Sequence, residues 1–177
     1  IYYNHPGFIE PMADRVRSAM ETIPAARRSE AAFLYTAHSI PISMAQGSPY
    51  VGQLTEACTL VSNRVGVKDF RLVYQSRSGP SSQPWLEPDV LESLRTIAAE
   101  GKTRDVVVIP IGFVSDHMEV LFDLDTQAKE LCGELGLNMV RAGTVGNDPR
   151  FVEMIRELVL EKLGQSPSRK VEGSPEF

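Results

Sequence analysis

Cysteine is scarce in this sequence, with only Cys58 and Cys132 in 177 residues. Two thiols cannot staple a disulfide-dense secreted scaffold. Both fall in stretches with helical apolar spacing, so buried free thiols in a reducing compartment, the cytoplasm, are expected. Long apolar runs are missing as well. No stretch approaches the roughly 18–20 uninterrupted apolar residues of a membrane span, and the amino end shows no basic region leading into an apolar signal core. Basic clusters are absent too: 18 Lys and Arg stand against 23 Asp and Glu, for a net charge of −5. Nucleic acids and anionic membranes are held by clustered cations that displace counterions, so neither partner is expected and peripheral membrane contact is not indicated. Only three histidines and one tryptophan occur, which makes the place of each informative.

What is present reads as one folded α/β domain. Hydrophobic residues make up 42% and charged residues 23%, the balance of a globular chain and not of a disordered polyelectrolyte. Four short apolar runs, at 32–37 (AFLYTA), 70–75 (FRLVYQ), 106–112 (VVVIPIG) and 138–142 (NMVRA), alternate with longer helical patterns. Their near-continuous apolar character suits parallel strands covered on both faces. Helices are expected over 8–21, from the Ser48-Pro49 cap to Gly66, over 88–100, from about Asp116 to Gly133 or Gly136, and from Asp148-Pro149 to Gly164. Right-handed crossovers then give a three-layer αβα sandwich around a four-stranded parallel sheet, a Rossmann-like half. This domain covers 1–164. The remainder, 165–177 (QSPSRKVEGSPEF), is polar, aperiodic and expected to be a flexible tail. The chain starts at Ile1 and not at Met, which leaves open that it is a piece of a longer protein.

In open α/β sheets, ligands bind beyond the carboxyl ends of the strands, so the residues that follow each run carry the functional information. After the first run stands His38, held by the sheet and able to ligate a metal or accept a proton; a ring bonded to a neighbouring loop is the alternative. After the second comes a Ser/Gly-rich loop ending in Trp85. It lacks the lysine and direct helix entry of a phosphate loop, so Trp85 either walls a pocket for a flat apolar ligand or packs in the core. After the third come Asp116, His117, Glu119 and Asp123. Asp116, Glu119 and Asp123 at i, i+3 and i+7 would share one helix face. They form either a path for hard divalent cations or protons, or, in the case of Asp116 and Glu119, a capping box.

Taken together, four motifs in order strongly resemble the ferrochelatase family: Tyr35-Thr36-Ala37-His38-Ser39-Ile40-Pro41; Gly47-Ser48-Pro49-Tyr50; Tyr74-Gln75-Ser76-Arg77-Ser78-Gly79-Pro80 with Pro84-Trp85-Leu86-Glu87-Pro88; and Pro110-Ile111-Gly112-Phe113-Val114-Ser115-Asp116-His117-Met118-Glu119-Val120-Leu121-Phe122-Asp123-Leu124-Asp125. The resemblance covers Phe8 to Leu163 and corresponds to the carboxyl-terminal half of the family. It implies a chelatase-like fold and a lyase that inserts ferrous iron into a porphyrin in haem biosynthesis, with no bound cofactor beyond the iron substrate. It implies that His38 and Glu119 are the catalytic pair, facing each other across the cleft. His38, Glu119, Asp116, His117 and Asp123 handle metal, and Trp85 belongs to the porphyrin cleft wall. It also implies an amino-terminal half, absent from this sequence, that completes the cleft, with self-association through the face left bare.

The sequence departs from the family in detail. Tyr74 stands where some members have Trp, and Asp123 where some have Glu. No cysteine follows Cys132, so the carboxyl-terminal iron–sulfur cluster of some members is not expected. The competing readings are a cobalt or nickel chelatase acting on another tetrapyrrole, and a non-catalytic tetrapyrrole- or metal-binding module. A flavodoxin-like phosphate binder would need a phosphate loop that this sequence does not contain.

Overall fold

The Val106–Ile109 stretch is the centre of the molecule: all four side chains are excluded from solvent, each worth about 1.5–3 kcal/mol of transfer free energy. They belong to β3 (Asp105–Ile109), which lies beside β1 (Ala32–His38) in a four-stranded sheet of order β2-β1-β3-β4, with β2 at Arg71–Gln75 and β4 at Asn138–Arg141. The structure, a computed structural model, describes residues 2–80, 82–172 and 174. Every strand pair is parallel, with His38 opposite Gln75, Tyr35 opposite Ile109 and Val108 opposite Arg141. The four expected strands are all present. Three of them differ by one residue at an end, and β3 stops at Ile109 because Pro110 has no N–H for the ladder.

Alternation along the strands builds two cores. Phe33, Tyr35, Ala37, Val107 and Ile109 pack on α1 (Pro6–Glu21), α3 (Tyr50–Val65) and α7 (Pro149–Lys162). Leu34, Val73, Val106 and Val108 face α4 (Val90–Glu100) and the helix that follows β3. The expected αβα sandwich is therefore the observed one. At the amino end of the sheet, the buried Asp105 accepts from Arg27 Nη2 at 3.1 Å and Asn138 Nδ2 at 2.6 Å, which offsets the cost of burying its charge.

Helix starts differ from the sequence reading, each for a local reason. α1 begins two residues early because the buried His5 caps it, with Nδ1 accepting from the Gly7 N–H at 3.0 Å. α4 begins at Val90 because Asp89 is its cap, accepting from the Leu91 N–H at 2.8 Å. Ser48 does not cap α3: Pro49 takes that position with no side-chain bond. A short helix α2 (Ile42–Gln46) and a 3₁₀ turn (Ala25–Glu30), neither expected, fill the connections. The helix after β3 starts as α5 (Met118–Val120), widens into a π-helical stretch (Leu121–Ala128) and finishes as α6 (Lys129–Glu134).

The tail has no helix beyond α7, yet it returns to the domain. Val171 is buried and its N–H donates to the Asn4 carbonyl at 2.9 Å, while Arg169 pairs with Glu157. Residues 173 and 175–177 of that expected tail lie outside the described residues. Among the described residues, no helix is long and apolar enough to cross a membrane.

Candidate active site at the carboxyl edge of the sheet

Order β2-β1-β3-β4 fixes where a ligand site can form. The chain leaves β1 toward the α1/α3 layer and β2, and leaves β3 toward the opposite layer and β4. The two exits part between β1 and β3, leaving the crevice of a topological switch point. One wall carries His38 and the other the segment from Pro110 to Asp123. The crevice floor is tight: a Cβ on Gly112 would stand 2.7 Å from the Ala37 Cβ and 2.8 Å from its Cα. Only glycine lets this loop approach β1 so closely, and the Gly112 N–H donates to the Thr36 carbonyl at 3.1 Å.

His38 is fixed at both backbone and ring. The Tyr50 hydroxyl donates to its carbonyl at 3.0 Å, and the next residue is held by Ser39 N–H to Gln75 O at 2.8 Å and Ser39 Oγ to Leu86 O at 2.9 Å. Ring Nδ1 lies 2.6 Å from the Ser39 carbonyl oxygen. A carbonyl only accepts, so Nδ1 carries the proton, and in the neutral ring Nε2 keeps a lone pair for a metal or a proton. Burial raises the Tyr50 phenol to about 12, so it remains a donor at neutral pH.

The acidic row is not one face of a regular helix. Asp116 precedes the helix, and His117 takes the cap position with no side-chain bond, so the Asp116–Glu119 capping box does not form. Asp116 instead accepts from Arg141 Nη1 at 2.9 Å. Asp123 accepts from Gln75 Nε2 at 3.2 Å and from the Ser76 hydroxyl. Ser76 reaches it from the left-handed backbone region, φ 61°. The His117 ring packs edge-on against Phe113, centroids 5.3 Å apart. Glu119 is exposed, and among the described residues no ion pair or hydrogen bond engages its carboxylate or the His117 ring nitrogens. No group of three or more His, Cys, Asp or Glu side chains is gathered closely enough to hold a metal among the described residues. The five expected metal-handling residues thus all follow the carboxyl ends of β1 and β3 but do not converge on one point: Asp123 lines a depression with Gln75, Ser76 and Asp89, and Asp116 another with Arg15, Gly143 and Thr144.

Trp85 is buried at 9% exposure, its ring under Gly79, where an added Cβ would overlap it. Trp85 also forms an isolated antiparallel bridge with Pro41. Trp85 therefore packs beneath the loop that ties the β2 exit to the His38 loop. The surface near the crevice is apolar for a different reason: Met44, Val114, Met118, Leu121 and Phe122 are all exposed, Met118 at 78%. All five follow the carboxyl ends of β1 or β3, and apolar groups gathered at such a mouth mark a ligand or partner surface.

Two residues at the site were not singled out from sequence. Gln75 lies opposite His38, 1% exposed, with its Oε1 unpartnered among the described residues. Arg141 ends β4 and binds Asp125 at two points, Nε to Oδ1 at 2.6 Å and Nη2 to Oδ2 at 2.9 Å. Burial opposes the Arg141 charge, but hydrogen bonds and charge from Asp125 and Asp116 outweigh it and raise its pKa. An arginine inside an apolar run was the available signal, since long cations enter strands chiefly when paired.

The family model described as Ferrochelatase matches residues 1–163. The chain is 55% identical over 163 residues to a ferrochelatase of Rhodopirellula baltica, covering 92% of this chain and 46% of that protein. It is 44% identical over 184 residues to a coproporphyrin III ferrochelatase of Nocardia farcinica, covering 99% of this chain and 52% of that one. A Streptomyces griseus protein of the same description is 44% identical over 186 residues, covering 97% and 49%. The chain spans about half the length of these relatives.

Proposed function

The chain belongs to the ferrochelatase family, and from that premise we propose that it is the metal-handling half of an enzyme that inserts ferrous iron into a porphyrin. The observation that carries the reading is the switch-point crevice. A sheet-fixed imidazole ends β1, a carboxylate and a second imidazole with no polar partner among the described residues follow β3, and exposed apolar side chains follow both strands.

Insertion exchanges one Fe²⁺ for the two pyrrole N–H protons, so two protons leave as the metal enters and no electron is transferred. A redox cofactor is unnecessary in this scheme, and the iron is substrate. His38 offers a borderline nitrogen suited to ferrous iron, and the same Nε2 lone pair can take a pyrrole proton. Glu119 and His117 approach from the β3 side, where a hard oxygen and a second imidazole replace water on the incoming ion. Asp123 and Asp116, already engaged by Ser76, Gln75 and Arg141, add negative charge along the path. The exposed Met118, Leu121 and Phe122 suit the flat apolar face of a macrocycle. Trp85 supports the loop beneath that face.

In this reading a second α/β half completes the porphyrin cleft. The α7 stripe Val152, Ile155 and Val159, continued by Leu163 at the helix end, with each side chain more than half exposed, drives self-association of the chain when alone. Two free, buried thiols accord with a cytoplasmic site of action.

Zinc insertion followed by metalloporphyrin fluorescence tests the reading, with coproporphyrin III and protoporphyrin IX as parallel substrates. Product from this chain that disappears in His38→Ala is expected. Equal turnover by His38→Ala would overturn the assignment, and the preferred porphyrin identifies the substrate. Cobalt and nickel run beside zinc and ferrous iron separate the other chelatase chemistry.

A further inference from the structure

The segment 114–125 crosses the carboxyl edge of the sheet like a strap, and it is tied at both sides. On the β2 side, Gln75 and Ser76 hold Asp123. On the β4 side, the Gly146 N–H donates to the Val114 carbonyl at 2.9 Å, and Arg141 binds both Asp116 and Asp125. Asp116 lies just ahead of α5 and Asp125 lies inside the π-helical stretch. One guanidinium therefore fixes the two ends of the segment that carries His117 and Glu119.

This arrangement answers a local weakness. A π turn is rare and depends on its surroundings for support, and Glu119 and His117 have no polar partner of their own among the described residues. Their position is consequently set by the tethers together with apolar packing, the His117 ring on Phe113 and the buried Val120 and Leu124 beneath the segment. The tether is also selective in chemistry: Nε and Nη2 grip Asp125 in parallel while Nη1 reaches Asp116 and, at 3.2 Å, the Ala142 carbonyl. A planar fork with separate nitrogens grips Asp125 at two parallel points and reaches Asp116 from a third, whereas the single nitrogen of an ammonium of the same charge cannot reproduce the parallel pair. The Arg141 side chain is 16% exposed, whereas those of Asp116 and Asp125 are 40% and 36% exposed. The pair is thus anchored from the sheet side.

We infer that Arg141 is a positioning residue for Glu119 and His117, acting through Asp125 and Asp116. The inference rests on the reading of Glu119 and His117 as metal carriers. If Arg141 served only to neutralise two acids, lysine would replace it without effect.

Cobalt(II) binding to the full 177-residue chain, read by calorimetry and by the visible ligand-field spectrum, tests this well below each variant's melting temperature. Glu119→Gln is expected to lose affinity. Arg141→Lys and Asp125→Asn are each expected to weaken cobalt binding by about tenfold, the scale of losing a group that orients a metal ligand. They should also alter the spectrum, with faster hydrogen exchange confined to amides around 117–126. Wild-type affinity and spectrum in both variants, with binding lost in Glu119→Gln, would overturn the role of Arg141 and leave the site reading intact. Absent binding in the wild type, or binding unchanged in Glu119→Gln, would overturn the site reading and the positioning claim with it. Should Arg141→Lys not fold, Asp125→Asn decides alone.

Discussion

Gln75 and Asp123 join the sheet to the π-helical stretch, with Nε2 donating to Oδ2 at 3.2 Å. Because Gln75 is also the strand partner of His38, the two walls of the crevice are one residue apart on this path. Asp123→Leu should therefore do more than remove a charge: it leaves the buried Gln75 amide and the Ser76 hydroxyl without an acceptor. A loss of about 1–3 kcal/mol in urea unfolding is expected, and a smaller one for Asp123→Asn, which keeps one acceptor oxygen.

Two histidines are held in opposite tautomers. His38 donates through Nδ1 to a carbonyl, whereas His5 accepts through Nδ1 from the Gly7 N–H and points Nε2 at Glu157, 3.2 Å away. Long-range ¹H–¹⁵N spectra at pH 8 should show a protonated Nδ1 in His38 and a protonated Nε2 in His5. Zinc addition should move the His38 Nε2 resonance and leave His5 unchanged.

His5 also sets an acid limit on stability. Burial lowers its pKa from 6.5, and the nearby Glu157 opposes that shift without reversing it. The unfolded chain then takes up the proton first, so this contribution is complete above about pH 6.5. It is lost as the pH falls from there through the folded-state value. His5→Asn, which can still cap α1, should show a shallower decline in denaturant midpoint between neutral and acidic pH.

Burial pushes the Cys132 thiol up to about 11 and raises Cys58 further. Neither forms a reactive thiolate at neutral pH. Ellman's reagent should find almost no thiol in the folded chain and two after unfolding, without prior reduction.

Gly112→Ala places a methyl group against the Ala37 backbone at 2.8 Å. The loop must lift away from β1, at a cost of about 1–3 kcal/mol typical of overpacking. A lower melting temperature is expected together with weaker metal binding, since the same loop leads into His117 and Glu119.

The strands were legible because runs such as Val106, Val107, Val108 and Ile109 are β-branched, apolar on both faces and, cut off by Pro110, too short for a buried helix. His38 was legible because a strand end fixes its place whatever the long-range contacts. The acidic row was legible in composition but not in geometry. Spacing at i, i+3 and i+7 presumes 3.6 residues per turn and a helix that begins at Asp116, whereas the helix begins at Met118 and turns π at Leu121. Partners distant in sequence decide that outcome, Arg141 for Asp116 and Gln75 with Ser76 for Asp123, and no local pattern announces them. Trp85 likewise owes its buried place to Gly79 and to the bridge with Pro41, two contacts that sequence order does not express.

The backbone bond from Val171 to Asn4 brings two distant parts of the chain to one corner of the domain. Tension on the segment after α7 is therefore borne first by the residues ahead of α1, through that backbone bond and the burial of Val171, before it reaches α7 itself.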